Sequence, residues 1–84
     1  MKKGMVVRSL KGHDEGTVYV VLDILDGNAF VCDGKNKLVS GPKKKNCKHL
    51  EFIGKEIDLS MYKPLYDAHI RKELKDYKEV EGLG

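Results

Sequence analysis

The stretch Thr17-Val18-Tyr19-Val20-Val21-Leu22-Asp23-Ile24-Leu25, followed by Asp26-Gly27-Asn28 and then Ala29-Phe30-Val31-Cys32-Asp33, decides the fold. Its Val and Ile side chains favour an extended, pleated backbone, where branching at Cβ is best accommodated. The run from Thr17 to Leu25 is long enough to bend across two sheets. Gly and Asn accept positive φ, so Asp26-Gly27-Asn28 reads as a tight hairpin, with Ala29 to Asp33 pairing back. Strand alternation places Val18, Val20, Leu22 and Ile24 on one face and Tyr19 and Val21 on the other. Apolar residues on both faces fit a strand that is covered on both sides, or one at a barrel corner.

Met5 to Ser9 is a second short β-branched run, separated from Thr17 by a turn, Leu10 to Gly16, that holds two glycines and an Asp. After the hairpin, Gly34 to Asn36 reads as a turn and Lys37 to Ser40 as a short strand. Gly41 to Asn46 reads as a loop, because Gly-Pro interrupts a ladder. Lys48 to Ile53 reads as a fifth strand with Leu50 and Phe52 on one face. Five short strands joined by tight turns predict a mainly β fold, a small closed or half-open barrel. Val18, Val20, Leu22, Phe30, Val31, Leu50 and Phe52 are its expected core.

The pattern then changes. Gly54 to Lys63 reads as an extended arm. From Pro64 to Tyr77 the period is helical, with Tyr66, Ile70, Leu74 and Tyr77 on one stripe. Pro64 suits the helix entry, Asp67 its first turn, and Lys75 and Lys78 its end, with Gly82 and Gly84 closing the chain. With 84 residues, a single domain is expected: a barrel over 4–53, then an arm and C-terminal α-helix over 54–84 that docks on it.

The net charge of +3 matters less than its distribution. No acid lies between Gly34 and Leu50, while Lys35, Lys37, Lys43, Lys44, Lys45 and Lys48 all do. The 13 acids and the other 10 basic residues lie outside, leaving +6 in the window and −3 over the rest. A segregated positive field attracts a polyanion. Pro42-Lys43-Lys44-Lys45-Asn46-Cys47-Lys48-His49 concentrates it, and Asn46 and His49 add hydrogen-bonding groups. Lysine suits phosphate as a point charge. No aromatic residue lies between these lysines to stack bases. Recognition of the backbone and shape of structured RNA is therefore expected.

Other chemistry fares worse. Ser9, Ser40 and Ser60 lie outside any nucleophile-elbow context, and His13, His49 and His69 lack a nucleophile partner. Gly12-His13-Asp14-Glu15-Gly16 lacks the Lys-Ser/Thr of a phosphate loop. Adjacent acids such as Asp14-Glu15 are ordinarily solvated. Cys32, Cys47, His13 and His49 could ligate zinc, but not at the paired spacing of zinc sites. No enzyme activity, metal or cofactor is expected. Both thiols should be reduced, in the cytoplasm. Met1-Lys2-Lys3 has the charge of a signal-peptide opening, but Gly4 to Ser9 is too short for its apolar region. The longest apolar run, Val18 to Leu22, is far below membrane-spanning length.

From Gly4 to Asp33 the chain resembles a KOW motif, the strand–loop–strand element of ribosomal proteins and NusG-type elongation factors. The likeness rests on Val6-Val7, Gly12-His13-Asp14-Glu15-Gly16, the run from Val18 to Ile24, and Phe30-Val31. Asp33-Gly34-Lys35, Pro42-Lys43-Lys44-Lys45-Asn46 and Lys48-His49 extend it. They resemble KOW proteins related to archaeal and eukaryotic large-subunit ribosomal proteins, in particular their small stand-alone bacterial homologues. The likeness covers residues 4–53 well and the helix from Asp67 more loosely. It implies an SH3-like barrel and RNA binding, often of ribosomal RNA. Gly12 and Gly16 would shape the first loop, with Lys11 and His13 near RNA, and Lys43, Lys44, Lys45 and His49 would match the family's basic stretch. One departure stands out: Asp14-Glu15 places two acids where many relatives have a lysine after the Asp. The expected RNA-binding set is Lys11, His13, Lys35, Lys37, Lys43, Lys44, Lys45, Asn46, Lys48 and His49. The expected partners are RNA and the ribosome, without a membrane, for a monomeric protein. The alternative is a protein-interaction module, since SH3-like barrels also bind peptides. Such grooves need clustered aromatics, and the barrel segment offers Tyr19, Phe30 and Phe52 alone.

Overall fold

A computed structural model describes the backbone of residues 1–82 and the side chains of residues 1–77. Gly84, read above as part of the chain's closing glycines, lies outside the described residues. The strands are β1 (Met5–Ser9), β2 (Val18–Leu25), β3 (Asn28–Cys32), β4 (Lys43–Asn46) and β5 (Leu50–Glu56), followed by helix α1 (Asp67–Gly82). They form one antiparallel sheet in the order β4-β3-β2-β1-β5. The sheet curls into a small SH3-like barrel, and α1 packs on its outside.

The hairpin forms where the sequence places it. Leu25 pairs with Asn28, and the two residues between them, Asp26 and Gly27, take φ of 51° and 77°. Two positive φ values in a two-residue turn match the right-handed twist of the flanking strands.

Both faces of β1 and β2 are buried, each in its own cluster. Val7, Tyr19, Val21, Ala29, Val31 and Leu50 fill the barrel interior. Val6, Val20 and Cys32 face outward and pack under Ile57, Ile70 and Leu74. The alternation of Val20 with Tyr19 and Val21 thus reflects a strand sandwiched between barrel and helix. A bulge between Val21 and Asp23 then changes the parity of β2. As a result Leu22 packs on the helix side while Ile24 packs on the barrel interior, not on one face as strict alternation predicts.

Four further expectations need correcting. Lys37 to Ser40 is no strand; only an isolated Leu38–Gly41 bridge forms there. The fourth strand is instead Lys43–Asn46, the segment read as a loop. Pro42 lies just before it, where its missing N–H costs the ladder nothing. Phe52 is 44% exposed rather than core. It lies opposite Val7 on edge strand β5, which has no neighbour on its other flank. Phe30 is half-buried.

The segment after β5 is no free arm. Ile57 is buried, and Leu59, Tyr62 and Leu65 pack against the outer cluster. Asp58 caps a 3-10 turn at Leu59–Met61 by accepting from the Ser60 N–H at 3.0 Å. The helix begins at Asp67, so Tyr66 precedes it and is 61% exposed. Ile70 and Leu74 carry the buried stripe, and the Tyr77 hydroxyl donates to the Ile53 carbonyl at 3.5 Å. Because α1 runs on to Gly82, Lys75 lies in its middle rather than its last turn.

The β3–β4 loop meets the helix at Gly34. A Cβ there would lie 2.6 Å from the Asp67 carbonyl oxygen and 2.9 Å from Arg71 Cγ, at a φ of +75°. Only glycine allows this approach. Two bonds fasten the contact: the Val39 N–H donates to Asp67 Oδ1 at 2.7 Å, and Arg71 Nη1 to the Gly34 carbonyl at 2.7 Å.

Candidate nucleic-acid interface

Strand geometry sorts the three central lysines. Lys43 and Lys45 share one face of β4 and Lys44 takes the other. Lys45 is buried, its side chain 9% exposed, with its aliphatic stem sheltered and its ammonium bonded. It donates to Asp14 Oδ1 at 2.8 Å and to the Lys11 carbonyl at 2.9 Å. Lys43 donates to Asp14 Oδ2 at 3.0 Å.

Asp14 is the centre of this arrangement. Ser9 Oγ donates to Oδ1 at 2.9 Å and the Tyr19 hydroxyl to Oδ2 at 2.8 Å. Its side chain is 13% exposed. Burial alone would raise its pKa, but bonds from Lys45, Tyr19, Lys43 and Ser9 outweigh that and hold the carboxyl well below the usual range. Burial, reinforced by the Asp14 bond, pushes the Tyr19 phenol well above its ordinary value. The reading of Asp14-Glu15 as a solvated pair is therefore corrected at Asp14, while Glu15 is exposed.

The β1–β2 loop is built to present that carboxylate inward. Gly12 and Gly16 both adopt a φ of +89°, accessible to glycine at little cost. Between them the Glu15 N–H donates to the Gly12 carbonyl at 3.1 Å and the Thr17 N–H to the Asp14 carbonyl at 2.9 Å. The Gly16 N–H closes the loop on the Ser9 carbonyl at 2.8 Å.

The remaining candidates divide between exposed and structural. Lys11, His13, Lys35, Lys44 and Lys48 are exposed, and Lys37 and His49 are half-buried. Lys11, Lys35, Lys44 and Lys48 have no acidic partner among the described residues. Asn46 is exposed, but its Oδ1 accepts from the Lys48 N–H at 2.9 Å and so caps the 3-10 turn at Cys47–His49. The Leu10 N–H donates to the His49 carbonyl at 2.8 Å, which joins this turn to the chain just before Lys11. Lys35 and Lys37 lie in the β3–β4 loop, where Asp33 Oδ1 accepts from the N–H groups of Lys35, Asn36 and Lys37 at 2.9–3.0 Å. The structure thus joins Lys43 and Lys45 through Asp14 and Lys11 through its carbonyl's bond from Lys45, links Lys48 and His49 beside them, and holds Lys35 and Lys37 in a separate loop.

Sequence reasoning missed Asp14, Tyr19 and Ser9. One signal pointed to them: an acid between two loop glycines, in a chain whose most basic segment has period-two spacing at Lys43 and Lys45. The two thiols do not converge. Cys32 belongs to the outer cluster and Cys47 packs against the barrel interior. Burial, with the charges of Asp67 and Asp33, pushes the Cys32 thiol up to about 12. Among the described residues no helix is long and apolar enough to cross a membrane.

The five-stranded sheet curled into a small barrel, with a helix on its outer face, is consistent with the SH3-like fold of KOW proteins. The comparisons narrow this class. The chain is 33% identical over 75 residues to the large ribosomal subunit protein eL14 of Saccharolobus islandicus (strain L.S.2.15 / Lassen #1), covering 87% of this chain and 75% of that one. It is 32% identical over 80 residues to the eL14 protein of Saccharolobus solfataricus, covering 93% and 80%. The chain belongs to the eL14 family of ribosomal proteins. No family model matches it. These relatives are archaeal and lend no support to the bacterial origin that the resemblance implied.

Proposed function

We propose that the chain is a non-catalytic RNA-binding protein of the large ribosomal subunit, working with cytoplasmic ribosomes as a single copy. It grips the phosphates of structured ribosomal RNA through Lys11, Lys35, Lys44 and Lys48. One observation carries the assignment of these residues. Asp14 engages Lys43 and Lys45, so the field of the acid-free segment is left to lysines that are exposed and lack an acidic partner among the described residues. Family membership supports the partner, since the relatives are named as large-subunit proteins.

The test is a salt titration of binding to a ribosomal RNA fragment. About four phosphate contacts give a slope of log K against log salt near −3 to −4, because each contact releases condensed counterions. Replacing Lys11, Lys44 and Lys48 together by Ala should flatten the slope by about two to three units and weaken all sequences alike. Lys72→Ala, on the exposed side of α1, should change little. A triple variant with unchanged slope overturns the site. A wild-type chain without salt-dependent RNA binding overturns the function and favours the protein-interaction module.

A further inference from the structure

We infer that the groove between the β1–β2 loop, the β3–β4 loop and α1 seats a single nucleotide extruded from the bound RNA; the inference rests on the RNA-binding reading above and deepens it. The groove encloses ≈ 680 Å³, within the range of about 300–1,000 Å³ typical of small-ligand sites. Its floor is apolar, formed by Val18 and Leu74. Its rim carries Lys35 and Arg71 beside one carboxylate, Asp33, and Lys75 also lines it. Asp33 already accepts three backbone N–H groups through Oδ1.

This combination matches a nucleotide: a flat apolar base on the floor and an anionic phosphate at the rim. Arg71 supplies the orienting element. Its bond to the Gly34 carbonyl at 2.7 Å anchors the guanidinium at the rim and leaves further N–H donors for an anion. Arginine planes also carry splayed RNA bases where no aromatic is present. The Thr17 hydroxyl, without a hydrogen-bond partner among the described residues, can meet a base edge. Gly16 and Thr17 belong to the loop that carries Lys11 and His13, so the groove adjoins the proposed phosphate-gripping surface.

The experiment follows amide shifts of the ¹⁵N-labelled full chain on titration with a nucleoside 5′-monophosphate, inorganic phosphate and an acidic peptide. Saturable shifts of Gly16, Thr17, Val18, Lys35 and Arg71 with the nucleotide are expected, much larger than with either other anion. Lys35→Ala should weaken that response about tenfold, the worth of one charge-assisted hydrogen bond. Thr17→Trp, which fills the groove, should abolish it without abolishing salt-dependent RNA binding. Equal response to phosphate or to the peptide overturns the inference, because the groove would then be a general anion or protein site. Absence of shifts, or shifts confined to Lys11, Lys44 and Lys48, also overturns it. If the wild-type chain binds no RNA yet these amides still respond to the nucleotide, the RNA reading fails and the nucleotide seat stands.

Discussion

Replacing Asp14 by Ala is the sharpest test of how this barrel holds its basic strand. The carboxylate accepts from Ser9, Tyr19, Lys43 and Lys45 at 2.8–3.0 Å. With Asp14 13% and Lys45 9% exposed, the Asp14–Lys45 pair is nearly out of water. Removing one partner of such a pair costs about 3–5 kcal/mol, because the remaining charge stays buried without its counter-ion. Lys43 is 34% exposed and adds what a surface pair adds, about 0–1 kcal/mol. One carboxylate serves all four donors, so these losses overlap, and a total of about 3–5 kcal/mol is expected. That is a large share of the roughly 5–15 kcal/mol that stabilises a typical protein. Urea unfolding followed by far-ultraviolet circular dichroism at pH 7 measures it. The melting temperature should fall by at least about 12 °C for a domain of this size. Adding Lys45→Met to Asp14→Ala replaces the stranded ammonium by an apolar chain of similar length, and should restore at least about 2 kcal/mol. Lys44→Ala, on the opposite face, should stay within about 0.5 kcal/mol of wild type. An Asp14→Ala variant within about 1 kcal/mol of wild type would refute the reasoning. So would a double variant no more stable than the single one.

Other outcomes follow from the same structure. The Asp14 carboxyl titrates lower in the folded chain than in the unfolded one, so its contribution is complete above the ordinary carboxylate pKa of about 4 and shrinks as pH falls toward the folded value. Urea midpoints measured between pH 7 and pH 2 should therefore drop at the acid end, and the drop should be smaller in Asp14→Asn. Gly34→Ala forces a Cβ against Asp67 and Arg71 at positive φ and should cost about 2–3 kcal/mol, read from the same unfolding curves. The Cys32 thiol, buried and with its pKa pushed up to about 12, should resist an aromatic disulfide reagent at pH 8 until the chain unfolds. The partly exposed Cys47 should react in the native state, and mass spectrometry of peptides separates the two.

Much of the fold was legible because local rules decide it. Met5 to Ser9, the long run from Val18 and the Asp26-Gly27 turn depend on neighbours in sequence, and they form as read. Even the double burial of β2 shows in the apolar residues at Val20 and Val21. What failed to show has a physical reason in each case. The bulge after Val21 is set by pairing with Val31 and Phe30 and leaves no mark in the strand's own alternation. Phe52 follows the alternation rule, but its exposure depends on β5 being an edge strand, which is a property of the whole sheet. The helix stripe was right at Ile70 and Leu74 and wrong at Tyr66, which lies one residue before the helix begins.

The basic segment shows the limit most clearly. Composition locates a positive field but does not say which charges are neutralised, because the neutralising acid lies elsewhere in the chain. Asp14 is 29 and 31 residues from Lys43 and Lys45. The three consecutive lysines read as part of a loop because Gly41-Pro42 just before them interrupts a ladder. Their period-two division is meaningful only once Asp14 and Tyr19 are found on one side. It follows that neutralising Lys43, Lys44 and Lys45 together mixes two effects of different origin. Loss of Lys45 removes a buried counter-charge and destabilises the barrel, whereas loss of Lys44 removes field from the surface and leaves folding intact. Weaker RNA binding by such a triple variant would not identify a contact, since a partly unfolded barrel also binds less. The separation requires Lys44 to be changed with Lys11 and Lys48, at unchanged melting temperature, so that a flatter salt dependence can come only from phosphates no longer met.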